Sequence, residues 1–110
     1  MTFYCKTNDA LVQMVAYLKN ADGTYINLTL ATQVHVHVGY AGNIADRIVD
    51  AACTIVTPLE GKVQYYVTAT DTNHDPAEYD LEFEIRWGDG TIITVPSKGN
   101  AKFVLGGEVG

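Results

Sequence analysis

From Tyr79 to Trp87 apolar and polar residues alternate without a break, Tyr79, Leu81, Phe83, Ile85 and Trp87 against Asp80, Glu82, Glu84 and Arg86. Successive side chains of an extended chain point to opposite faces, so this period gives one face to a core and the other to water. A helix would scatter the same residues around its circumference. The neighbouring segments continue the pattern. Lys62–Thr68 sets Val63, Tyr65 and Val67 against Gln64, Tyr66 and Thr68. Gly88-Asp89-Gly90 reads as a tight hairpin turn in which Gly90 takes positive φ, and Thr91–Val95 returns as a strand. The whole span from Gly61 to Pro96 is therefore predicted to be a strand–corner–hairpin unit of a β-sandwich.

The flanking sequence adds shorter pieces of the same kind. Val12, Met14, Ala16 and Leu18 share one strand face, and Asp22-Gly23 marks the turn after them. Ile26, Leu28, Leu30, Thr32, Val34, Val36 and Val38 then share one parity, with Asn27, Thr29, Gln33, His35 and His37 on the other. That alternation is longer than a usual strand, so a break is expected near Ala31-Thr32. Gly39–Asn43 reads as a loop. Ile44–Val56 admits either a strand with Val49, Ala51, Cys53 and Ile55 on one face or a helical turn over Ala45–Ile48. Turns are expected at Pro58–Gly61 and Ser97–Asn100, a last strand at Ala101–Leu105, and a flexible Gly-rich tail over Gly106–Gly110. The total is about seven to nine short antiparallel strands in one all-β domain covering residues 1–110.

Composition removes several function classes. Thirteen acidic residues against seven basic ones give a net charge of −6, and the basic residues are scattered, so no surface for nucleic acid is expected. No apolar run has the length of a membrane span, and MTFYCKTNDA lacks the basic and apolar regions of a secretory signal, so neither membrane contact nor export is expected. Cys5 and Cys53 are the two cysteines. They read as separate buried thiols in preference to a bridge across the sandwich.

Asp75-Pro76-Ala77-Glu78-Tyr79-Asp80-Leu81 has the spacing of the D-x-A-x-Y-x-C motif of immunoglobulin-like domains, with Leu81 at the cysteine position. In that motif the Tyr hydroxyl bonds back to the preceding corner and fixes how the chain enters the sheet. Tyr79, Asp75, Leu81, Trp87 and Gly90 are accordingly read as structural, in a single Ig-like β-sandwich. A wider set of short motifs is present: Gly61-Lys62-Val63 with Tyr65, Asp71-Thr72, Glu78-Tyr79, Glu82-Phe83-Glu84, Asp89-Gly90 and Thr94-Val95-Pro96. Together with Asp22-Gly23, Leu28-Thr29 and Ala31-Thr32-Gln33-Val34 near the N-terminus, it resembles the N-terminal domain of the BppU family. These are upper baseplate proteins of tailed bacteriophages. Two departures stand out. Pro76-Ala77-Glu78 replaces the family's Pro-Gly before the Tyr, and the long C-terminal extension that holds receptor-binding proteins does not follow the domain in this sequence.

The resemblance implies a non-enzymatic structural protein of a tailed bacteriophage or prophage particle, assembled in the bacterial host cytoplasm. Its partners would be other virion proteins of the baseplate, tail or capsid, in an oligomeric or particle-bound state. Capsid decoration or a head fibre is the near alternative, and a carbohydrate- or receptor-binding β-sandwich is the alternative of another class. No cofactor is expected.

Three constellations carry possible chemistry. Asp71, Asn73 and Asp75, with Glu82 further on, have the spacing of an EF-hand calcium loop, but Pro76 stands where the loop needs Gly. An acidic turn rich in local hydrogen bonds is the plainer reading. His35 and His37 share a strand face at a spacing that can hold a metal ion, provided His74 or a carboxylate supplies a third ligand. Two solvent-facing histidines on a polar face, or two histidines in a pH-sensitive subunit interface, are the other readings. Glu82 and Glu84 could pair as in glycosidases but read as a solvated strand face, and no catalytic residue is assigned. Among the seven tyrosines, Tyr17, Tyr25, Tyr40 and Tyr66 lie on the polar parity or in loops. They are either interface anchors or scattered surface aromatics.

Overall fold

The alternation of Tyr79–Trp87 becomes the middle of the molecule's main sheet. The computed structural model describes residues 2–96 and 101–107. Eight strands run in chain order: β1 (Thr2–Lys6), β2 (Val12–Tyr17), β3 (Ala31–Tyr40), β4 (Asn43–Thr57), β5 (Lys62–Val67), β6 (Ala77–Trp87), β7 (Ile92–Val95) and β8 (Ala101–Gly106). Hydrogen bonding links them in the order β1-β8-β6-β3-β4-β5-β2, with β7 also on β6. All pairings are antiparallel except β1 with β8, which is parallel and departs from the all-antiparallel expectation.

The path folds over at β4. Its residues up to Cys53 pair with β3, whereas Thr54–Thr57 pair with β5, so one long strand serves both leaves of a sandwich-like fold. Val34, Val36, Val38, Leu81, Phe83 and Ile85 from one leaf meet Met14, Ala16, Val63 and Val67 from the other in a single buried cluster. Burying these aliphatic and aromatic side chains is the dominant stabilising contribution, about 1.5–3 kcal/mol for each large one. No helix among the described residues is long and apolar enough to cross a membrane.

Several elements differ from the sequence expectation. Ile44–Val56 is strand throughout, without a helical turn at Ala45–Ile48. Ile26 and Leu28 are buried as their parity suggests, yet no strand forms there. The Asn27 side chain accepts from Thr29 N at 3.0 Å, and Leu28 N donates to Pro58 O at 2.9 Å, so local bonds replace a ladder. Thr68 caps a helical turn, α1 (Ala69–Thr72), through a reciprocal capping box with Asp71. Gly106, expected in a flexible tail, ends β8 opposite Lys6; residues 108–110 and the expected turn at 97–100 lie outside the described residues.

The corner forms as the motif requires. Tyr79 is buried and its hydroxyl donates to Asp75 O at 2.6 Å, while Leu81 packs fully buried at the cysteine position. Tyr79→Phe is expected to cost about 1 kcal/mol, read as a lower melting temperature; an unchanged value would contradict the corner. At the hairpin, Gly90 has φ +88° and its N–H donates to Trp87 O at 3.0 Å. Trp87 is half-buried at the end of β6, where Thr91 O accepts from its backbone N–H at 2.9 Å.

Cys5 and Cys53 are both free thiols. Burial pushes Cys5 up to about 11 and Cys53 up to about 12. At pH 8 neither holds much of the reactive thiolate. A chromogenic disulfide reagent is expected to leave both unmodified in the folded protein and to titrate both in denaturant. Rapid modification of the folded protein would contradict this packing.

Candidate functional site

Two regions gather the polar and aromatic residues that the core does not explain. The first is the outer face of the β2–β5 leaf. Outward positions of β2 and β5 pair as Gln13 with Tyr66, Val15 with Gln64 and Tyr17 with Lys62. Tyr17, Tyr25 and Tyr66 are 42%, 50% and 51% exposed, and Val15 and Val56 are exposed beside them. Tyr25 brings its ring to 6.1 Å from that of Tyr17, Lys19 Nζ lies 5.2 Å from the Tyr25 ring, and Lys62 Nζ lies 5.7 Å from the Tyr17 ring. These amphipathic rings are held by neighbours, which lowers the entropy lost on burying them against another surface. Among the described residues β2 pairs only with β5, so its other edge is open. Tyr40 stands apart, packed on Tyr79 with centroids 5.7 Å apart near the tip of the β3–β4 hairpin. Tyr4, 71% exposed on β1, was not singled out by the sequence pattern.

The second region is a polar cluster on the outer face of β3, β4 and β6. The sequence suggests solvent-facing histidines and a solvated pair of glutamates here, and the structure corrects both. His37 is wholly buried, His35 is largely covered, and the Glu82 and Glu84 side chains are only 15% and 17% exposed. The reason is topological. β3 is flanked on both sides, with His37 directly opposite Asp50 on β4 and Glu82 on β6.

The geometry is specific. His37 Nδ1 lies 3.1 Å from Glu82 Oε1. His37 Nε2 lies 3.3 Å from Asp50 Oδ1 and 3.8 Å from Glu84 Oε2, but this buried nitrogen makes a hydrogen bond to neither. His35 Nδ1 is 3.1 Å from the same Asp50 Oδ1, and His35 Nε2 is 3.1 Å from Gln33 Oε1. Arg47 Nη1 holds the other Asp50 oxygen at 3.2 Å, and Arg86 Nε donates to Glu84 at 2.7 Å. The His35 hydrogen bond is the main cause of a lowered Asp50 pKa, and the Arg86 bond that of a lowered Glu84 pKa.

Asp50 was missed by the sequence reading, which offered His74 or an unspecified carboxylate as the third ligand. Extending the register of the Tyr40–Asn43 pair would set Asp46 opposite His37, but irregularities on either side of Gly39 move Asp50 there. Gly39 allows this close passage, since a Cβ on it would lie 2.7 Å from Ile44 Cα. His74 lies elsewhere, lining a recess with Thr7, Asn73, Asp75, Pro76 and Gly107.

The EF-hand-like set is not assembled. The Asp71 carboxylate accepts from the Tyr65 hydroxyl and from Thr68 N, while Glu82 in mid-strand faces His37. A third feature, a recess of about 510 Å³ beside the last hairpin, is lined by Leu30, Trp87, Gly88, Asp89, Thr91 and Ile93. Compared with known proteins, the chain matches no family model and no curated sequence.

Proposed function

We propose that this chain is a non-enzymatic structural protein of a tailed bacteriophage or prophage particle that works by protein–protein assembly in the baseplate or tail. The observation that carries the reading is the outer face of the β2–β5 leaf, where Tyr17, Tyr25, Tyr66, Val15 and Val56 lie exposed next to an open strand edge. Large amphipathic rings interspersed with Val15 and with the polar side chains of Gln13, Gln64 and Lys62 have the composition of a protein interface. An open edge adds backbone donors and acceptors that a partner strand can pair with. The motif set that resembles BppU N-terminal domains supplies the particle. The formed tyrosine corner supports the immunoglobulin-like fold in which the resemblance places the chain.

Affinity-tagged protein, recovered from cells producing particles, is expected to bring down virion structural proteins. Tyr17→Ser combined with Tyr66→Ser is expected to weaken that capture at least about tenfold, as loss of hot-spot aromatics does. Capture of no virion protein would contradict the reading. Capsid proteins in place of baseplate or tail proteins would move it to decoration of the head.

A further inference from the structure

We propose that His35, His37 and Asp50 form a binding site for a divalent transition-metal ion, with zinc the best match to their ligand chemistry. The three side chains can direct one ligand atom each into a volume where all three lie within 4.8 Å of one another. Two ligands bound to zinc at about 2.1 Å with tetrahedral angles are about 3.4 Å apart. Asp50 Oδ1 stands 3.1 Å from His35 Nδ1 and 3.3 Å from His37 Nε2, close to that spacing before any ion is bound. Glu84 Oε2, 3.8 Å from His37 Nε2, is in reach as a fourth ligand.

Hydrogen bonding around the histidines points the same way. Glu82 Oε1 is an acceptor, so His37 Nδ1 donates to it and Nε2 is the nitrogen left to bind a metal ion. His35 Nδ1 hydrogen-bonds the same Asp50 Oδ1 that His37 Nε2 faces, and a metal ion among the three atoms would take the place of that bond. His37 Nε2 is buried, aimed into the cluster and without a hydrogen-bond partner, and a metal ion satisfies it. The Glu82–His37 contact is the carboxylate–histidine arrangement that orients metal-binding imidazoles. Arg47 occupies Asp50 Oδ2 and so leaves Oδ1 turned inward. Three carboxylates (Asp50, Glu82, Glu84) face two guanidinium groups (Arg47, Arg86), leaving one negative charge for a cation to offset. The Asp50 side chain is 47% exposed, which gives an ion a way in from solvent. The ligands come from neighbouring strands of one leaf, so bound metal would cross-link the β3–β4 hairpin beside the exposed Tyr40.

The test is titration of the metal-stripped full chain with Zn²⁺, followed by calorimetry, melting temperature and the nitrogen chemical shifts of the imidazoles. One equivalent is expected to bind, to raise the melting temperature, and to shift His35 Nδ1 and His37 Nε2 while His74 stays unchanged. Asp50→Asn and His35→Gln are expected to weaken binding at least about tenfold, and Glu82→Gln about 10- to 100-fold. Absence of heat and of imidazole shifts in the unsubstituted chain would overturn the site. So would binding that Asp50→Asn and His35→Gln leave unchanged, or that shifts only His74. The imidazole shifts need no substitution, so a variant that fails to fold leaves the proposal testable.

Discussion

Phe83→Ala is expected to destabilise the domain by about 3–5 kcal/mol, among the largest effects of any single side-chain truncation in this core. Phe83 is 1% exposed and sits in the middle of β6, opposite Val36 on β3 and Val95 on β7. Its removal leaves a cavity lined by strands that pair on both sides and so cannot easily collapse inward. A domain of this size has a total stability of about 5–15 kcal/mol, so the loss would take much of the margin. Urea unfolding followed by tryptophan fluorescence measures it through Trp87, the one tryptophan. A shift of less than about 1 kcal/mol would mean that Phe83 is not between the leaves.

Gly61→Ala is the second large effect, for a different reason. Gly61 ends the 3₁₀ turn over Pro58–Glu60 with φ +59°, and a Cβ there would lie 2.5 Å from Leu18 O and 3.0 Å from Ile26 O. The left-handed conformation costs a side chain about 1–2 kcal/mol, and backbone crowding adds about 1–3 kcal/mol. The expected total is about 3 kcal/mol. Gly23→Ala isolates the first part, because Gly23 has φ +88° with nothing within 4 Å of an added Cβ. It should cost only about 1–2 kcal/mol. Equal losses at the two positions would contradict the close approach of Leu18 to the turn.

What was legible in the sequence was what local physics decides. The β6 alternation, the Gly90 turn and the Tyr79 corner each depend on residues within a few positions of one another, and all three formed. The strand β1 was not legible. It is five residues long, and its parallel partner β8 lies at the other end of the chain. Ile26 and Leu28 have strand parity, but the Asn27 side chain offered the Thr29 backbone N–H a competing local bond. The polar cluster was half legible. His35 and His37 declare themselves by spacing, whereas the arrival of Asp50 depends on irregular register around Gly39, which periodicity cannot see. Their burial was hidden too, because a polar parity is exposed only if no neighbouring strand brings long side chains over it. Here Glu82, Glu84 and Arg47 do so.

Assembly of the chain into a particle is tested most directly by quantitative mass spectrometry of gradient-purified particles from cells that carry the gene. The chain is expected in the particle fraction at a fixed ratio to the tail and baseplate proteins, and to be lost from that fraction when Tyr17 and Tyr66 are both replaced by serine. Particles that are complete and infectious without it, with the chain left entirely in the unassembled protein fraction, would contradict the claim.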